Sequence, residues 1–266
     1  MYLEYWGFDK YPFENVPDPH FMFYSSEHEE ALSRIIYGLE RNKGAILLTG
    51  EIGCGKTMVS RVLIQKLSTE DDSFDIGLIA NPSLEASEFL MESLYQLGIS
   101  SASNVKTDML RALNNKLLEN AKNNKNTILI IDEAQAIYKD TFEEIRMLLN
   151  FQMNDRYLLN LVLLGQPELR DTIREIKQLD QRIAIRYHLN PLSRKDTTNY
   201  ILFRLKKAGL EKTIFADGDL DEIYHYSSGI PRKINNICDL ALLIGFGEKS
   251  GIIEKKIISR VIKDSL

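Results

Sequence analysis

A glycine-rich turn that follows a short apolar run constrains this chain of 266 residues more than any other feature. The run covers residues 45–48, and the turn reads Gly50-Glu51-Ile52-Gly53-Cys54-Gly55-Lys56-Thr57. Residues 58–67 then carry apolar side chains at helical spacing. A strand, a glycine turn and a helix in this order direct backbone N–H groups and a helix N-terminus at a di- or triphosphate. The pattern therefore predicts a phosphate-binding P-loop.

The predicted loop assigns its residues different tasks. Lys56 would reach the β and γ phosphates, and the Thr57 hydroxyl would bind Mg²⁺. Cys54 is expected to contribute its backbone, with no role for the thiol. The alternative is a glycine turn without a ligand. The residues expected to contact the nucleotide are Gly50, Glu51, Ile52, Gly53, Cys54, Gly55, Lys56, Thr57 and Met58.

In a second informative stretch, residues 127–135, four consecutive aliphatic side chains at 128–131 end in Asp132-Glu133. It predicts a buried parallel strand whose acids emerge at the carboxyl edge of a sheet, where α/β proteins bind ligands. Asp132 suits the Mg²⁺ side of the site, directly or through water. Glu133 suits the group that orients or deprotonates the attacking water.

Polar residues also close two later strands. Gln166 follows the apolar run 159–165, and its amide is suited to the γ-phosphate or the attacking water; a loop-starting amide is the alternative. Arg182 and Arg186 lie four residues apart before and within a last predicted strand. Either could stabilise a phosphate bound by a neighbouring subunit, or form an ordinary surface salt bridge.

From residue 193 onward the strand signals stop. Helices are predicted at 195–208, 219–227, 231–246 and 254–264, separated by glycines. Pro231 occupies a favoured first helical position, which leaves Arg232 in a first turn where a cation gains nothing from the helix dipole. Arg232 therefore needs an anionic partner, and a triphosphate is one.

The first 24 residues combine aromatic side chains with Pro12, Pro17 and Pro19, which predicts an extended arm without regular structure. A helix is expected at about 26–41, with His28 as an exposed first-turn residue without a catalytic role. Between the P-loop helix and the acidic strand, residues 74–80 predict a strand, and 83–98 and 104–122 predict amphipathic helices. A helix is also expected over 141–153.

Composition and sequence patterns exclude several classes of protein. No apolar run approaches the roughly 20 residues of a membrane span, and the N-terminus lacks the pattern of a secretory signal. Two cysteines cannot build a disulfide framework, which suits a cytoplasmic protein. The net charge of −5 is uneven: residues 182–266 carry 15 Lys and Arg against 10 Asp and Glu. Such a basic segment is a weak footprint for nucleic acid.

The motifs in this order resemble the AAA+ ATPases. More narrowly, the opening Trp6-Gly7-Phe8, the segment Gly165-Gln166-Pro167-Glu168-Leu169 and the pairs Tyr200-Ile201, Arg204-Leu205 and Ala208-Gly209 resemble the ExeA/GspA family of general secretion pathway ATPases, including MshM-type members. The resemblance covers nearly the whole chain.

The resemblance implies an α/β fold: a P-loop AAA+ parallel five-stranded sheet in the order 5-1-4-3-2, flanked by helices and followed by a small all-helical lid domain. It places an arm at 1–24, the ATPase core at 25–192 and the lid at 193–266. It makes Gln166 the sensor 1 residue, Arg182 the arginine finger and Arg232 the sensor 2 arginine. The chain ends after the lid, so direct anchoring in the envelope is not expected.

Two functions follow as hypotheses. The first is an ATPase that needs Mg²⁺, forms an ATP-dependent homo-oligomeric ring or filament, and acts on a secretion or pilus assembly partner. It would be cytoplasmic, or peripheral at the inner membrane through that partner. The second is an ATP-gated DNA-binding switch that recruits a transposase, as in the TnsC/TniB type.

Overall fold

A computed structural model describes residues 2–70, 73–100, 103–210, 214–216, 218 and 220–264. The strands are β1 Ala45–Gly50, β2 Phe74–Ile79, β3 Asn126–Ile131, β4 Leu159–Gly165 and β5 Ile183–Leu189. The helices are α1 Leu3–Trp6, α2 Ser26–Glu40, α3 Lys56–Glu70, α4 Ala86–Gln96, α5 Lys106–Lys122, α6 Thr141–Leu148, α7 Pro167–Glu175, α8 Lys177–Asp180, α9 Arg194–Lys207, α10 Leu220–Ser227, α11 Pro231–Gly247 and α12 Lys255–Asp264.

The five strands form one parallel sheet in the order β2-β3-β4-β1-β5. This is the expected order read from the other edge, so the fold prediction is confirmed. β1 and β4 are buried along their whole length, which explains their continuous apolar sequences. The register pairs Thr49 with Gly165 and Leu163 with Ile131, so the residues that follow β1, β3 and β4 leave from one edge of the sheet.

The chain divides into two compact units. One comprises Glu29–Gly50 and Val59–Leu189, and it contains the sheet. Its core joins the aliphatic side chains of β1, β3 and β4 to the apolar faces of α4, α5, α6 and α7. The amphipathic patterns of residues 83–98 and 104–122 predicted this packing for α4 and α5, whereas α7 was not predicted. The other unit comprises Met1–His28, Glu51–Met58 and Asn190–Leu266. Its longer helices are α9, α10, α11 and α12.

A cluster of aliphatic and aromatic side chains forms the core of that second unit. Side chains of the first 24 residues pack among those of the C-terminal helices; the aromatic members from the arm are Tyr2, Trp6, Phe8, Phe13 and Phe21. Arg204 of α9 is buried, and its guanidinium donates to the backbone carbonyls of Pro12 and Glu14. The guanidinium carbon, Cζ, lies 4.6 Å from the centre of the Phe21 ring. These contacts hold the arm in place, while the proposed bounds of arm, core and lid stay predictions.

Two sequence expectations need correction. The arm is not free of regular structure, because Leu3–Trp6 is a helical turn and Pro19–Phe21 a 3-10 turn. The helix expected over 141–153 ends at Leu148. Beyond it, Leu158 donates its N–H to the Phe151 carbonyl, and Gln152 pairs with Tyr157 in an antiparallel bridge. The chain there turns back toward β4, which a helical continuation would prevent.

Asparagines connect the amino-terminal ends of the central strands. Asn160 of β4 is fully buried; its Oδ1 accepts from the Gly44 N–H at 3.3 Å, and its Nδ2 donates to Asn42 Oδ1 at 2.7 Å. Asn42 Nδ2 in turn donates to Asn126 Oδ1 at 2.9 Å. Amides suit this place because each both donates and accepts a hydrogen bond.

Over the described residues, no helix is long and apolar enough to cross a membrane.

Candidate functional site

The glycine loop leaves the sheet at the end of β1. A Cβ atom on Gly50 would lie 2.7 Å from the Leu189 carbonyl oxygen of β5, so the strand pair has no room for a side chain there. Gly53 and Gly55 adopt φ angles of +83° and +102°, which side chains disfavour. Helix α3 begins at Lys56, immediately behind the loop. The local structure is thus the strand, turn and helix expected of a P-loop.

The Lys56 and Cys54 side chains of the loop are both buried, in different environments. Lys56 is buried, with 5% of its surface exposed, and its Nζ donates to the Glu51 carbonyl at 3.0 Å. The ammonium group is therefore held against the loop's own backbone. Cys54 is also buried, and burial raises the pKa of its thiol to about 11. A thiol that stays protonated fits the expectation that Cys54 contributes only its backbone.

The start of α11 contacts this loop. The Arg232 N–H donates to the Gly53 carbonyl at 3.3 Å. A Cβ atom on Gly53 would lie 2.7 Å from the Arg232 Cβ, so a glycine is needed for the approach. The Arg232 side chain itself is exposed, and among the described residues no carboxylate pairs with it. Arg232 and the phosphate loop are therefore neighbours within one unit.

His28 corrects an expectation, because it is buried and not exposed. Its Nε2 lies 3.2 Å from the Cys54 carbonyl oxygen, and its Nδ1 lies 2.7 Å from Ser25 Oγ. Since a carbonyl only accepts, we assign the ring proton to Nε2. Burial lowers the pKa of His28, which favours this neutral ring. The helix expected from about residue 26 placed His28 in a first turn, but the sequence carried no information on which residues cover its side chain.

The acidic pair follows β3 in the sheet unit. Asp132 is 5% exposed, and its Oδ1 accepts from the Glu133 N–H at 2.9 Å. Glu133 is exposed and adopts φ +51° and ψ +36°, a left-handed conformation that is uncommon for a residue with a long side chain. Strained backbone of this kind occurs preferentially at functional sites.

A glutamine that sequence reasoning passed over joins Glu133 to Gln166. Gln135 Nε2 donates to Glu133 Oε2 at 2.6 Å, and Gln135 Oε1 accepts from the Gln166 N–H at 3.0 Å. Gln166 occupies the N-cap position of α7, directly after β4, and its side chain makes no capping hydrogen bond. Asp132, Glu133, Gln135 and Gln166 are thus brought together at the carboxyl edge of the sheet. Gln135 lies two residues beyond the acidic pair, and no sequence signal distinguished it.

The two candidate arginine fingers differ in their partners. Arg186 is bound to Asp180: its guanidinium lies 2.7 Å from the carboxylate and also donates to the Ile183 carbonyl at 3.0 Å. Arg182 donates to the backbone carbonyl of Arg146 at 3.3 Å. In the part of the chain that the structure describes, Arg182 has no carboxylate partner. Of the two, Arg182 is more readily available to a phosphate.

The donor set fits a nucleotide with a divalent cation. The loop offers glycine backbone in left-handed conformations, a buried ammonium group and the N-terminus of the 15-residue helix α3, which together suit phosphate oxygens. Thr57 carries a hydroxyl, and Asp132, in the other unit, carries a carboxylate; each is a hard oxygen ligand of the kind that Mg²⁺ takes in small number.

Comparison with known proteins identifies the family. Residues 39–173, about half of the chain, match the AAA domain family. The chain belongs to this family. The matched segment runs from the end of α2 through β1, the glycine loop, the acidic pair and Gln166 into α7. The AAA domain therefore includes all the site residues described above except His28, Arg182, Arg186 and Arg232.

A relative matches nearly the whole chain. General secretion pathway protein A of Aeromonas hydrophila is 40% identical over 256 residues, which is 94% of this chain and 46% of that protein. The chain thus spans about half the length of this relative. The match confirms the predicted resemblance to the GspA family.

Solved structures show the same fold at low identity. The ORC2 protein of Aeropyrum pernix, in ADPNP–ADP complexes, has a TM-score of 0.71 at 16% identity, over 96% of this chain and 71% of that one. Cdc6p of Pyrobaculum aerophilum has a TM-score of 0.72 at 18% identity, over 94% of this chain and 72% of that one.

Proposed function

We propose that this protein binds and hydrolyses ATP with Mg²⁺ as an oligomer, and that hydrolysis drives or regulates assembly of a secretion or pilus system. The observation that carries the proposal is the glycine loop, in which Lys56 is buried and Gly53 contacts Arg232. Few ligands other than a polyphosphate use such a combination of backbone donors and cations. The ADPNP–ADP complexes of the ORC2 relative support a nucleotide as the ligand.

Each residue has a proposed task in hydrolysis. The N–H groups of residues 50–58 and the Lys56 ammonium hold the phosphates, and Thr57 and Asp132 hold the cation. Bound Mg²⁺ would offset negative charge on the phosphate oxygens. Glu133 orients the attacking water and accepts its proton, and Gln166 hydrogen-bonds the γ-phosphate or that water. Arg232 adds a positive charge from α11.

Arg182 has a proposed task that depends on oligomerisation. We assign Arg182 as the finger that reaches the phosphates of a neighbouring subunit, because Arg186 is already bound to Asp180. A guanidinium there stabilises charge that develops during phosphoryl transfer. An enzyme built in this way would hydrolyse ATP efficiently only when subunits associate. The name of the general secretion pathway relative supports a secretion partner.

Replacement of Glu133 by glutamine tests the proposed reaction. The variant keeps the size of the side chain but cannot accept a proton, so turnover should fall at least about 100-fold while ATP affinity stays within about twofold. Turnover would be measured as phosphate release, and affinity by titration with a fluorescent ATP analogue. Glu175→Gln, on the exposed surface of α7, is the matched control and should behave as wild type. Normal turnover in Glu133→Gln would remove Glu133 from its role.

The DNA-binding alternative depends on the basic character of residues 182–266, which carry a net charge of +5 against −10 for the rest of the chain. Binding to phosphate backbones should weaken steeply as salt increases. A mobility-shift assay at 50 and 200 mM salt, with and without ATP, distinguishes the two functions. ATP-dependent binding with strong salt dependence favours the switch, and no shift at the lower salt excludes it.

A further inference from the structure

One side chain outside the assigned machinery connects two of its members. Gln135 lies in the middle of the 3-10 turn Ala134–Ala136, two residues after Glu133. Its amide nitrogen donates to the Glu133 carboxylate, and its amide oxygen accepts from the Gln166 backbone N–H. Both heavy-atom distances, 2.6 Å and 3.0 Å, are those of well-formed hydrogen bonds. The amide thus bridges the end of β3 and the start of α7.

The neighbouring strand leaves room for this bridge. Gly165 is the last residue of β4, and a Cβ atom there would lie 2.9 Å from Gln135 Oε1 and 2.6 Å from a methyl carbon of Leu169. A larger residue at 165 would therefore push the amide out of line with the Gln166 N–H. The φ angle of Gly165 is not in the left-handed region, so backbone conformation alone does not require a glycine here. The close approach of Gln135 and Leu169 makes glycine the residue that leaves both side chains undisturbed.

An amide is suited to both bonds of the bridge, because it offers a donor and an acceptor together. The Gln166 N–H donates and so needs an acceptor, whereas the Glu133 carboxylate, when ionised, accepts and so needs a donor. A glutamate at 135 would keep the acceptor but lose the donor. An asparagine would be one methylene shorter and could not span both partners from the same backbone position. The side chain is half-buried, so water competes only partly for these groups.

We propose that Gln135 is a positioning residue that couples Gln166 to Glu133. When Gln166 takes up a new position on contact with the γ-phosphate, the bridge carries that shift to the Glu133 carboxylate and aims it at the attacking water. The proposal rests on the proposed ATPase function. It assigns Gln135 no contact with substrate, so loss of the bridge should change turnover and leave nucleotide affinity unchanged.

The first experiment compares Gln135→Ala with wild type under single-turnover conditions. A hydrogen bond to a charged group contributes about 1.5–3 kcal/mol, so the rate constant of hydrolysis should fall about 10- to 100-fold. The affinity for ATP should change by less than about twofold. Gln65→Ala, on the exposed face of α3, is the matched control. A rate within about twofold of wild type, or a parallel loss of affinity, would overturn the proposal.

A second variant separates positioning from a merely structural role. Gln135→Glu is nearly isosteric, but at pH 8 it places two carboxylates side by side and removes the donor. Because it keeps the acceptor for the Gln166 N–H, Gln135→Glu should leave solvent exchange of that amide proton, followed by NMR, within about twofold of wild type. Its rate constant of hydrolysis should nevertheless fall at least about tenfold, because the donor to Glu133 is lost. Normal hydrolysis by Gln135→Glu would exclude the donor role.

A readout without hydrolysis tests the bridge itself. The Gln166 amide proton should exchange with solvent at least about tenfold faster in Gln135→Ala than in wild type, as followed by NMR. The Leu169 amide, which donates to the Gln166 carbonyl at 3.0 Å, is the internal control and should be unchanged. If wild type lacked ATPase activity, the proposed function would fail. Unchanged Gln166 exchange would overturn the bridge whether or not the protein hydrolyses ATP.

Discussion

At the scale of single residues, two side chains gain their meaning from neighbours that are distant in sequence. His28 contacts the Cys54 carbonyl, 26 positions away, and Gln135 contacts the Gln166 backbone, 31 positions away. The glycine loop and the acidic pair could be predicted because their residues are contiguous and their chemistry is local. No local pattern encodes a contact across the fold, so His28 was wrongly expected to be exposed and Gln135 received no role.

The buried His28 predicts a pH dependence of stability. Burial holds its folded-state pKa below the ordinary value of 6.5. Below pH 6.5 the unfolded chain therefore binds more protons than the folded one. The neutral ring's contribution is fully present above pH 6.5 and is lost as pH falls toward the folded-state pKa, at up to about 1.4 kcal/mol per pH unit.

Urea unfolding of wild type and His28→Gln between pH 5 and pH 8 measures this effect. Glutamine does not titrate, so the free energy of unfolding of the variant should fall less steeply below pH 6.5. His20→Gln removes an exposed histidine and should keep the wild-type slope. Parallel curves for wild type and His28→Gln would contradict the assignment.

At the scale of elements, periodicity and apolar runs located all five strands and nearly all the longer helices. The strand order came from the family resemblance, because spacing along the chain carries no information on which strands pair. The helix that ends early at Leu148 shows the limit of periodicity. Residues 149–153 are apolar enough to continue the helix, but Gln152 instead forms an antiparallel bridge with Tyr157.

The asparagines at the amino-terminal ends of the strands predict a stability effect that is independent of the site. Asn160→Ala would leave the buried Gly44 N–H and the Asn42 carbonyl oxygen without their partner. Unsatisfied buried polar groups cost about 1–3 kcal/mol each. The free energy of unfolding should therefore fall by about 3 kcal/mol, measured by urea titration. Asn115→Ala, on the exposed face of α5, should change it by less than about 0.5 kcal/mol.

At the scale of the whole molecule, the proposed oligomer makes activity a property of neighbouring chains. Arg182→Ala should lower ATP turnover about 1000-fold, by analogy with other arginine fingers, while Arg186→Ala should retain most of it. Lys56→Ala should lose ATP binding. If Arg182 acts between subunits, mixing Arg182→Ala with Lys56→Ala restores part of the turnover, because one chain supplies the arginine and the other the loop.

Two outcomes of these measurements would contradict the assignment of Arg182 as an arginine finger between subunits. Normal turnover of Arg182→Ala alone would remove Arg182 from the site. An inactive mixture, in which size-exclusion chromatography shows mixed oligomers, would place the arginine's effect within its own chain. The phosphate release assay and the oligomer analysis use the same samples, so the two outcomes are distinguished directly.

The left-handed backbone of Glu133 affects which amino-acid replacements selection would favour at this position. A glycine at that position would adopt the same angles without strain and should raise the stability of the fold by up to about 1 kcal/mol. The same replacement removes the carboxylate on which turnover is proposed to depend. A laboratory selection for thermal resistance alone would thus favour an inactive protein here. An acid retained at position 133 through such a selection would be evidence that folding, and not catalysis alone, keeps it.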